Sequence, residues 1–217
     1  MSINLKKLAI ENKGFLIFLM LMFTFRSAVA DWNIVPSESM RPTIQVGDRI
    51  WVNKLAYDIQ LPFLYISLYR HSNPKRGDIV IFESAVSKVR LVKRVIGLPG
   101  DTVEMDNNHV ILNGNMLPYK IEQSSELGTI LEETIDQNVH KIRLEPYRSS
   151  PLASFPKITI PNDYYFVLGD NRDNSNDSRF ISFIPRDEII GRSSSVVMSH
   201  DFDNYYLPKK DRFFKSL

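Results

Sequence analysis

The stretch VRLVKRVIGLPGD, Val89 to Asp101, reads as one strand running into a tight turn. From Val89 to Ile96 every residue is valine, isoleucine, leucine or a long basic side chain, and Leu98-Pro99-Gly100-Asp101 supplies the residues that end a strand. Side chains alternate across a strand. Lys93 therefore shares a face with Val89, Leu91 and Val95, while Arg90 and Arg94 take the other face with Val92 and Ile96. This periodicity predicts a lysine on the drier face and two arginines on the more polar one.

The same grammar recurs on both sides. Ile50-Trp51-Val52, Asp78 to Phe82, Val110 to Leu112, Tyr164 to Leu168 and Ile189 to Met198 read as strands, and Asn113-Gly114 is a hairpin turn signal. Beyond Asp31 no long amphipathic helix and no internal repeat appears. The fold class is mainly β, with barrel-like or coiled antiparallel sheets, one N-terminal transmembrane helix and a small inserted lobe. Residues 1–30 read as a cytoplasmic stub and membrane anchor. Residues 31–101 and 161–217 read as the two parts of a β core, with residues 102–160 as the inserted lobe. Within that lobe, residues 121–154 are polar and without a steady period, and read as a loop or peripheral piece. Asp201 to Leu217, with Lys209, Lys210, Arg212 and Lys215, reads as a solvated tail. Leu61 to Tyr69 is apolar and aromatic without clean alternation, which leaves two readings open: core, or a surface dipping into a lipid interface.

The 217 residues, 43% of them hydrophobic, suffice for one core. A net charge of +2 with scattered basic residues gives no nucleic-acid footprint. The absence of cysteine excludes disulfides, thiolate metal sites and a cysteine nucleophile. His71, His109, His140 and His200 are far apart and form no HExxH, so each reads as a surface or strand histidine; no metal and no cofactor is implied.

At the N-terminus Lys6, Lys7 and Lys13 precede the apolar run Phe15 to Phe25, which places this end on the cytoplasmic side. A helix from Gly14 to Ala30 rises roughly 25 Å, short of a hydrocarbon core of about 30 Å. Arg26 interrupts the run, although an arginine near a helix end can snorkel. On length alone a cleaved signal peptide fits, since Ala28-Val29-Ala30 before Asp31 is a small-x-small pattern. Ser39, in PSESMRPTI, tips the reading to an uncleaved anchor: a reactive serine close behind a retained helix is held at the bilayer surface.

A serine hydroxyl needs a base to become a nucleophile. A lysine can serve only when neutral. With a pKa near 10.4, roughly one lysine in 2,500 is neutral at pH 7, a deficit of about 4.6 kcal/mol. Burial lowers a lysine pKa by up to about 3–5 units, which covers that gap. Ser39 with Lys93 is thus a candidate nucleophile and base with no histidine. Taken alone, Lys93-Arg94 reads rather as a surface basic pair.

PSESMRPTI resembles the serine box of bacterial type I signal peptidases. KRGDIVIF followed by LVKRVIGLPGD resembles that family's strand and lysine boxes, and GDNRDNSNDSRF its C-terminal box. The four boxes occur in the family order from Val35 to Arg192. The resemblance implies a serine–lysine dyad endopeptidase that removes signal peptides from exported preproteins. Ser39 would be the nucleophile and Lys93 the general base. Ser37 would join the Ser39 N–H as an oxyanion-hole donor, and such a donor is worth about 2.7–4 kcal/mol. Ser175 would hydrogen-bond and orient Lys93, and Asp177 with Arg179 would form a supporting ion pair. Val35, Pro36, Met40, Ile44, Leu91 and Val92 match the shallow apolar pockets that accept small residues. Asp170, Asn171, Asp173 and Asn174 read as turn chemistry. The partners implied are preproteins with small-x-small sites, the lipid bilayer and protein export machinery. The location implied is the bacterial inner membrane, single-pass, with the catalytic part on the outer side. Two departures stand out: Glu38 where glycine is frequent, and one hydrophobic segment where some members have two. Two alternatives stay open, a specialised conjugative-transfer or pilin-processing peptidase with the same dyad, and a non-catalytic exported β-rich binding protein.

Overall fold

The computed structural model describes residues 12–63, 66–147, 150–201 and 205–217. In chain order the elements are α1 (Lys13–Ala28), β1 (Ala30–Ile34), β2 (Asp48–Asn53), β3 (Asp58–Gln60), β4 (Ser67–Arg70), β5 (Ile79–Ser84), β6 (Val89–Gly97), β7 (Thr102–Asp106), β8 (His109–Leu112) and β9 (Asn115–Met116). They continue with β10 (Tyr119–Ser125), β11 (Gly128–Ile135), β12 (Asn138–Leu144), β13 (Phe155–Thr159), β14 (Tyr164–Leu168), the short α2 (Ser178–Ile181), β15 (Ile184–Pro185), β16 (Ile189–Asp201), β17 (Leu207–Pro208) and β18 (Lys215–Ser216).

The main sheet runs β1-β2-β16-β5-β6-β14-β15, with β17 and β18 paired to β16. Strand β5 shows how it is covered. Ile79 and Ile81 join a core with Val35, Met40, Ile50 and Ile190, whereas Val80 and Phe82 join another with Tyr57, Val95 and Val167. Alternate residues face opposite sides of a strand, so both faces of the sheet are buried. The sheet is coiled but not closed: the path ends at β1 and β15, so the barrel-like expectation is corrected to an open antiparallel sheet. Register shifts in β16 between Ile189 and Gly191, Ser193 and Ser195, and Val196 and Met198 bend it, and β15 is too short an edge to pair onward.

The hairpin signal at Asn113-Gly114 is met by a two-residue loop with positive φ at both positions, joining β8 to β9. Leu98 to Asp101 closes as a turn through Asp101 N to Leu98 O at 3.0 Å. Residues 121–154 depart from the loop reading. Strands β10, β11 and β12 form a three-stranded antiparallel sheet there, and β13-β7-β8-β9 form a four-stranded one. The glutamates of β11 hid it: Glu133 is fully buried, which inverts the polarity that periodicity relies on. The C-terminal residues also depart from a solvated tail, because β18 pairs with β16 and Arg212 is buried against Asp48.

Helix α1 is 16 residues long and buries none of its side chains. Among the described residues no helix is long and apolar enough to cross a membrane, so the transmembrane helix is not seen as such. In the Leu61 to Tyr69 stretch, Phe63, Ile66, Leu68 and Tyr69 are exposed, which removes the core reading; Leu64 and Tyr65 lie outside the described residues.

Candidate active site

Ser39 sits in a tight turn after β1, where Arg41 N donates to Glu38 O at 3.0 Å and Ile44 N to Met40 O at 2.9 Å. Lys93 comes from the middle of β6, opposite Val80 of β5. The two meet: Lys93 Nζ lies 2.8 Å from Ser39 Oγ and donates to Val92 O at 2.9 Å. Lys93 is 2% exposed. Burial pushes its ammonium down from the ordinary value to about 8; Asp177 and Asp170 pull it upward, and Arg179 adds to the fall. Ser37 Oγ lies 3.4 Å from Ser39 Oγ.

The face reading of β6 is half right. Lys93 is on a dry face, but Arg94 is buried too, with Nε and Nη2 on the Asp170 carboxylate at 2.8 and 2.7 Å. Burial works against the charge on Asp170, yet the Arg94 guanidinium outweighs it and holds the carboxyl below its ordinary range. Thr43 Oγ1 donates to the same carboxylate at 2.5 Å. Asp170 therefore ties the strand of Lys93 to the turn of Ser39, which is more than turn chemistry. Asn171 adds a second tie, from its N–H to Ser39 O at 3.0 Å and from Nδ2 to Glu38 O at 3.3 Å. Asp173 accepts from Asn108 Nδ2, Glu145 N and Ser150 N. Asn174 N donates to Asn171 O at 3.1 Å, the turn bond expected of it.

The Asp177–Arg179 pair is present and fully buried, Nε to Oδ1 at 2.8 Å, and Asp177 also accepts Gly169 N. The expected Ser175–Lys93 bond is not formed. Ser175 is buried, and its Oγ has no partner among the described residues. It rests on Gly169: a Cβ there would come within 2.2 Å of Ser175 Oγ and 2.5 Å of Ser39 O. Only glycine lets β14's exit strand pass between these two serines.

A cleft of about 470 Å³ opens beside the pair, walled by Val35, Pro36, Met40, Leu91 and Val92 together with Asn33, Ile34, Val89 and Arg90. Ile44 is not in that wall; it is fully buried in the core, since its backbone turn points it inward. Glu38 forms a surface ion pair with Arg41 at 3.0 Å. The added wall residues were not legible as a group, because Asn33 and Ile34 lie on β1 and Val89 and Arg90 on β6.

The arrangement is a weakly basic, dehydrated amine on a hydroxyl at the end of an apolar groove. Comparisons with known proteins show the family. The family model "Signal peptidase, peptidase S26" matches residues 10–198. A signal peptidase I of Pseudomonas aeruginosa is 37% identical, over 91% of this chain and 75% of the relative. Signal peptidase I P of Bacillus subtilis subsp. natto is 33% identical, over 85% of this chain and 86% of its own length. A solved signal peptidase I from Enterococcus faecalis V583 is 30% identical, over 56% of this chain and 97% of that one, with a TM-score of 0.36. The reading as a non-catalytic binding protein gives way to these matches: the chain belongs to the peptidase S26 family of signal peptidases and is a serine endopeptidase.

Proposed function

We propose that this chain removes signal peptides from exported preproteins with Ser39 as nucleophile and Lys93 as general base, while α1 anchors it in the bilayer. The observation that carries the reading is the 2.8 Å approach of a buried Lys93 Nζ to Ser39 Oγ. The neutral amine accepts the Ser39 proton as Oγ attacks the carbonyl carbon of the residue before the cut. The oxyanion falls to the Ser39 N–H and the Ser37 hydroxyl. Lys93 then passes the proton to the leaving amine, and water attacks the ester with the same base. Val35, Pro36, Met40, Leu91 and Val92 form shallow apolar walls, which admit alanine and exclude larger side chains by contact. Ser175, with its hydroxyl unspent beside Gly169, is held in reserve as a further polar group near the pair.

The anchor reading draws on α1, whose Phe15, Phe18, Met20, Leu21, Phe23 and Phe25 are all exposed. The Ala28-Val29-Ala30 pattern is folded in. Ala30 is buried and pairs with Asn53, and Lys54 N donates to Val29 O at 3.0 Å. A peptidase needs an extended, accessible strand, and the burial of this site in the folded chain supports the reading of α1 as retained. The catalytic part then faces outward from the bacterial inner membrane, beside the export machinery that delivers preproteins.

The test is cleavage of several unrelated preproteins by detergent-solubilised enzyme, with the cut mapped and Ser39→Ala as control. Cuts after small-x-small sites in all of them, lost in Ser39→Ala, are expected. Cleavage of one pilin-like substrate alone would favour the specialised enzyme, and cleavage surviving in Ser39→Ala would end the reading.

A pH profile tests the base separately. Lys93 works only when neutral, so kcat/KM should rise with pH through about 8 and level off above it. A rate that rises only near the ordinary lysine value, or one flat across this range, would remove Lys93 from the role.

A further inference from the structure

The joint between helix and sheet is one residue long: α1 ends at Ala28 and β1 begins at Ala30. Such a joint passes the helix direction on to the strand, provided the last helical turn is held. Lys54, 2% exposed, reaches that turn. Its Nζ donates to Ser27 O at 3.0 Å and to Arg26 O at 3.3 Å, two of the carbonyls a helix end leaves without intrahelical partners. A cation there also meets the negative end of the helix dipole. Asp31 completes the cluster, 3.8 Å from Lys54 Nζ and 3.0 Å from Arg26 Nε. Phe63 N donates to Ser27 Oγ at 2.6 Å.

Lys54 is itself backed by the sheet. A Cβ on Gly191 of β16 would come within 2.5 Å of Asn53 O and 3.1 Å of Lys54 Cα, so β16 passes directly behind it. On the other side of the joint, β1 runs straight into the cleft, whose wall includes Asn33, Ile34 and Val35. Lys54 does not line that cleft.

We propose that Lys54 is a positioning residue for membrane-held substrate. By gripping the last turn of α1 it fixes the angle between the apolar helix and the cleft, and so the height at which Ser39 stands above the bilayer. This deepens the proposed function and rests on its two parts, the anchor and the Ser39–Lys93 pair. Keeping an amine this buried is costly unless it is paired, and here two helix-end carbonyls and the Asp31 carboxylate meet it.

The test uses the full chain in liposomes of phosphatidylethanolamine and phosphatidylglycerol, with two substrates. One is a short soluble peptide with an Ala-x-Ala site; the other is a preprotein held in the same bilayer by its signal segment. For Lys54→Met, peptide kcat/KM should stay within about twofold while bilayer cleavage falls roughly tenfold or more, the scale on which small misplacements of reacting groups act. Two glycines inserted between Ala28 and Val29, which loosen the joint and leave Lys54 in place, should reproduce the selective loss. That arm decides alone if Lys54→Met does not fold. Equal loss on both substrates, or no loss on the bilayer substrate in either variant, overturns the proposal. Failure of the underlying reading looks different: wild type that does not float with liposomes sinks the anchor, and Ser39→Ala that still cuts the peptide sinks the pair.

Discussion

Lys93→Met is expected to lose preprotein cleavage and to melt above wild type. A positioned base contributes about 10²–10⁴-fold, and here the same group also returns the proton to the leaving amine, so kcat should fall by roughly 10³ or more. The stability gain has its own cause. Burial lowers the folded-state pKa of Lys93 from 10.5 to about 8. Below about pH 8 the amine is protonated in both the folded and unfolded chain, and folding carries the whole penalty. That penalty is about 3 kcal/mol at pH 7. As pH rises from about 8 to 10.5 the folded amine is already neutral while the unfolded one still binds a proton, so the penalty shrinks. Methionine fills nearly the same space without the charge. It leaves Val92 O without its donor, which takes back about 1–2 kcal/mol. The net gain should be about 1–2 kcal/mol near pH 7, a rise in Tm of roughly 2–8 °C that disappears toward pH 10.5. Thermal melts at pH 7 and pH 10 check this. A variant that melts below wild type at both, or that still cleaves preprotein, contradicts the picture of a destabilised reactive amine.

How much of this the chain announces depends on whether the partners are near in sequence. Val89 to Ile96 reads as a strand because its β-branched run is local, and Tyr164 to Leu168 is matched residue for residue by β14. Asn113-Gly114 and Leu98 to Asp101 read correctly because a turn is decided by the residues inside it. Arg94 reads as facing a polar side because alternation tells which side a residue faces, not what covers that side. Its cover is Asp170, 76 positions away. Ile44, which the resemblance puts among the pocket residues, lies in the core, because a turn lets close residues point apart. The sheet of β10, β11 and β12 is hidden from the sequence for a different reason. Glu133 and His140 are inside, with Glu133 matched to Arg172 from elsewhere, while β10 is exposed along most of its length, and no rule based on hydrophobic alternation finds such strands. Ser175 shows the same limit at finer scale: the boxes bring it near Lys93, and only the packing against Gly169 shows that its hydroxyl goes unspent.

The buried charges under that sheet carry the second large effect. Glu133 on β11 is fully buried and receives Arg172 through Nη1 at 2.9 Å and Nη2 at 2.5 Å, with the Tyr119 hydroxyl at 2.5 Å and His140 Nε2 3.0 Å away. Burial by itself would push its carboxyl up; the Arg172 guanidinium outweighs this and holds it well below the ordinary range, with His140 helping. Arg172 in turn lies next to the site, since its carbonyl accepts Arg179 Nη2 at 2.5 Å and its N–H donates to Arg143 O. Glu133→Ala should therefore strand a buried guanidinium and cost about 3–5 kcal/mol, a fall in Tm of roughly 6–20 °C. Glu133→Leu combined with Arg172→Met removes both charges and should recover most of that loss, because a buried pair is worth little more than apolar groups of its size. The sign with pH follows from the depressed carboxyl. Its contribution is complete above the unfolded glutamate value near 4.5 and is lost as pH falls below it, so wild type should fall toward Glu133→Ala in acid while the double variant, which has no such pair to lose, falls less. If the single and double variants lose equally, Glu133 acts by shape and not by charge. If neither loses stability, the two sheets are held together by their apolar core alone, through Ile135 of β11 packed with Val103, Met105 and Leu168.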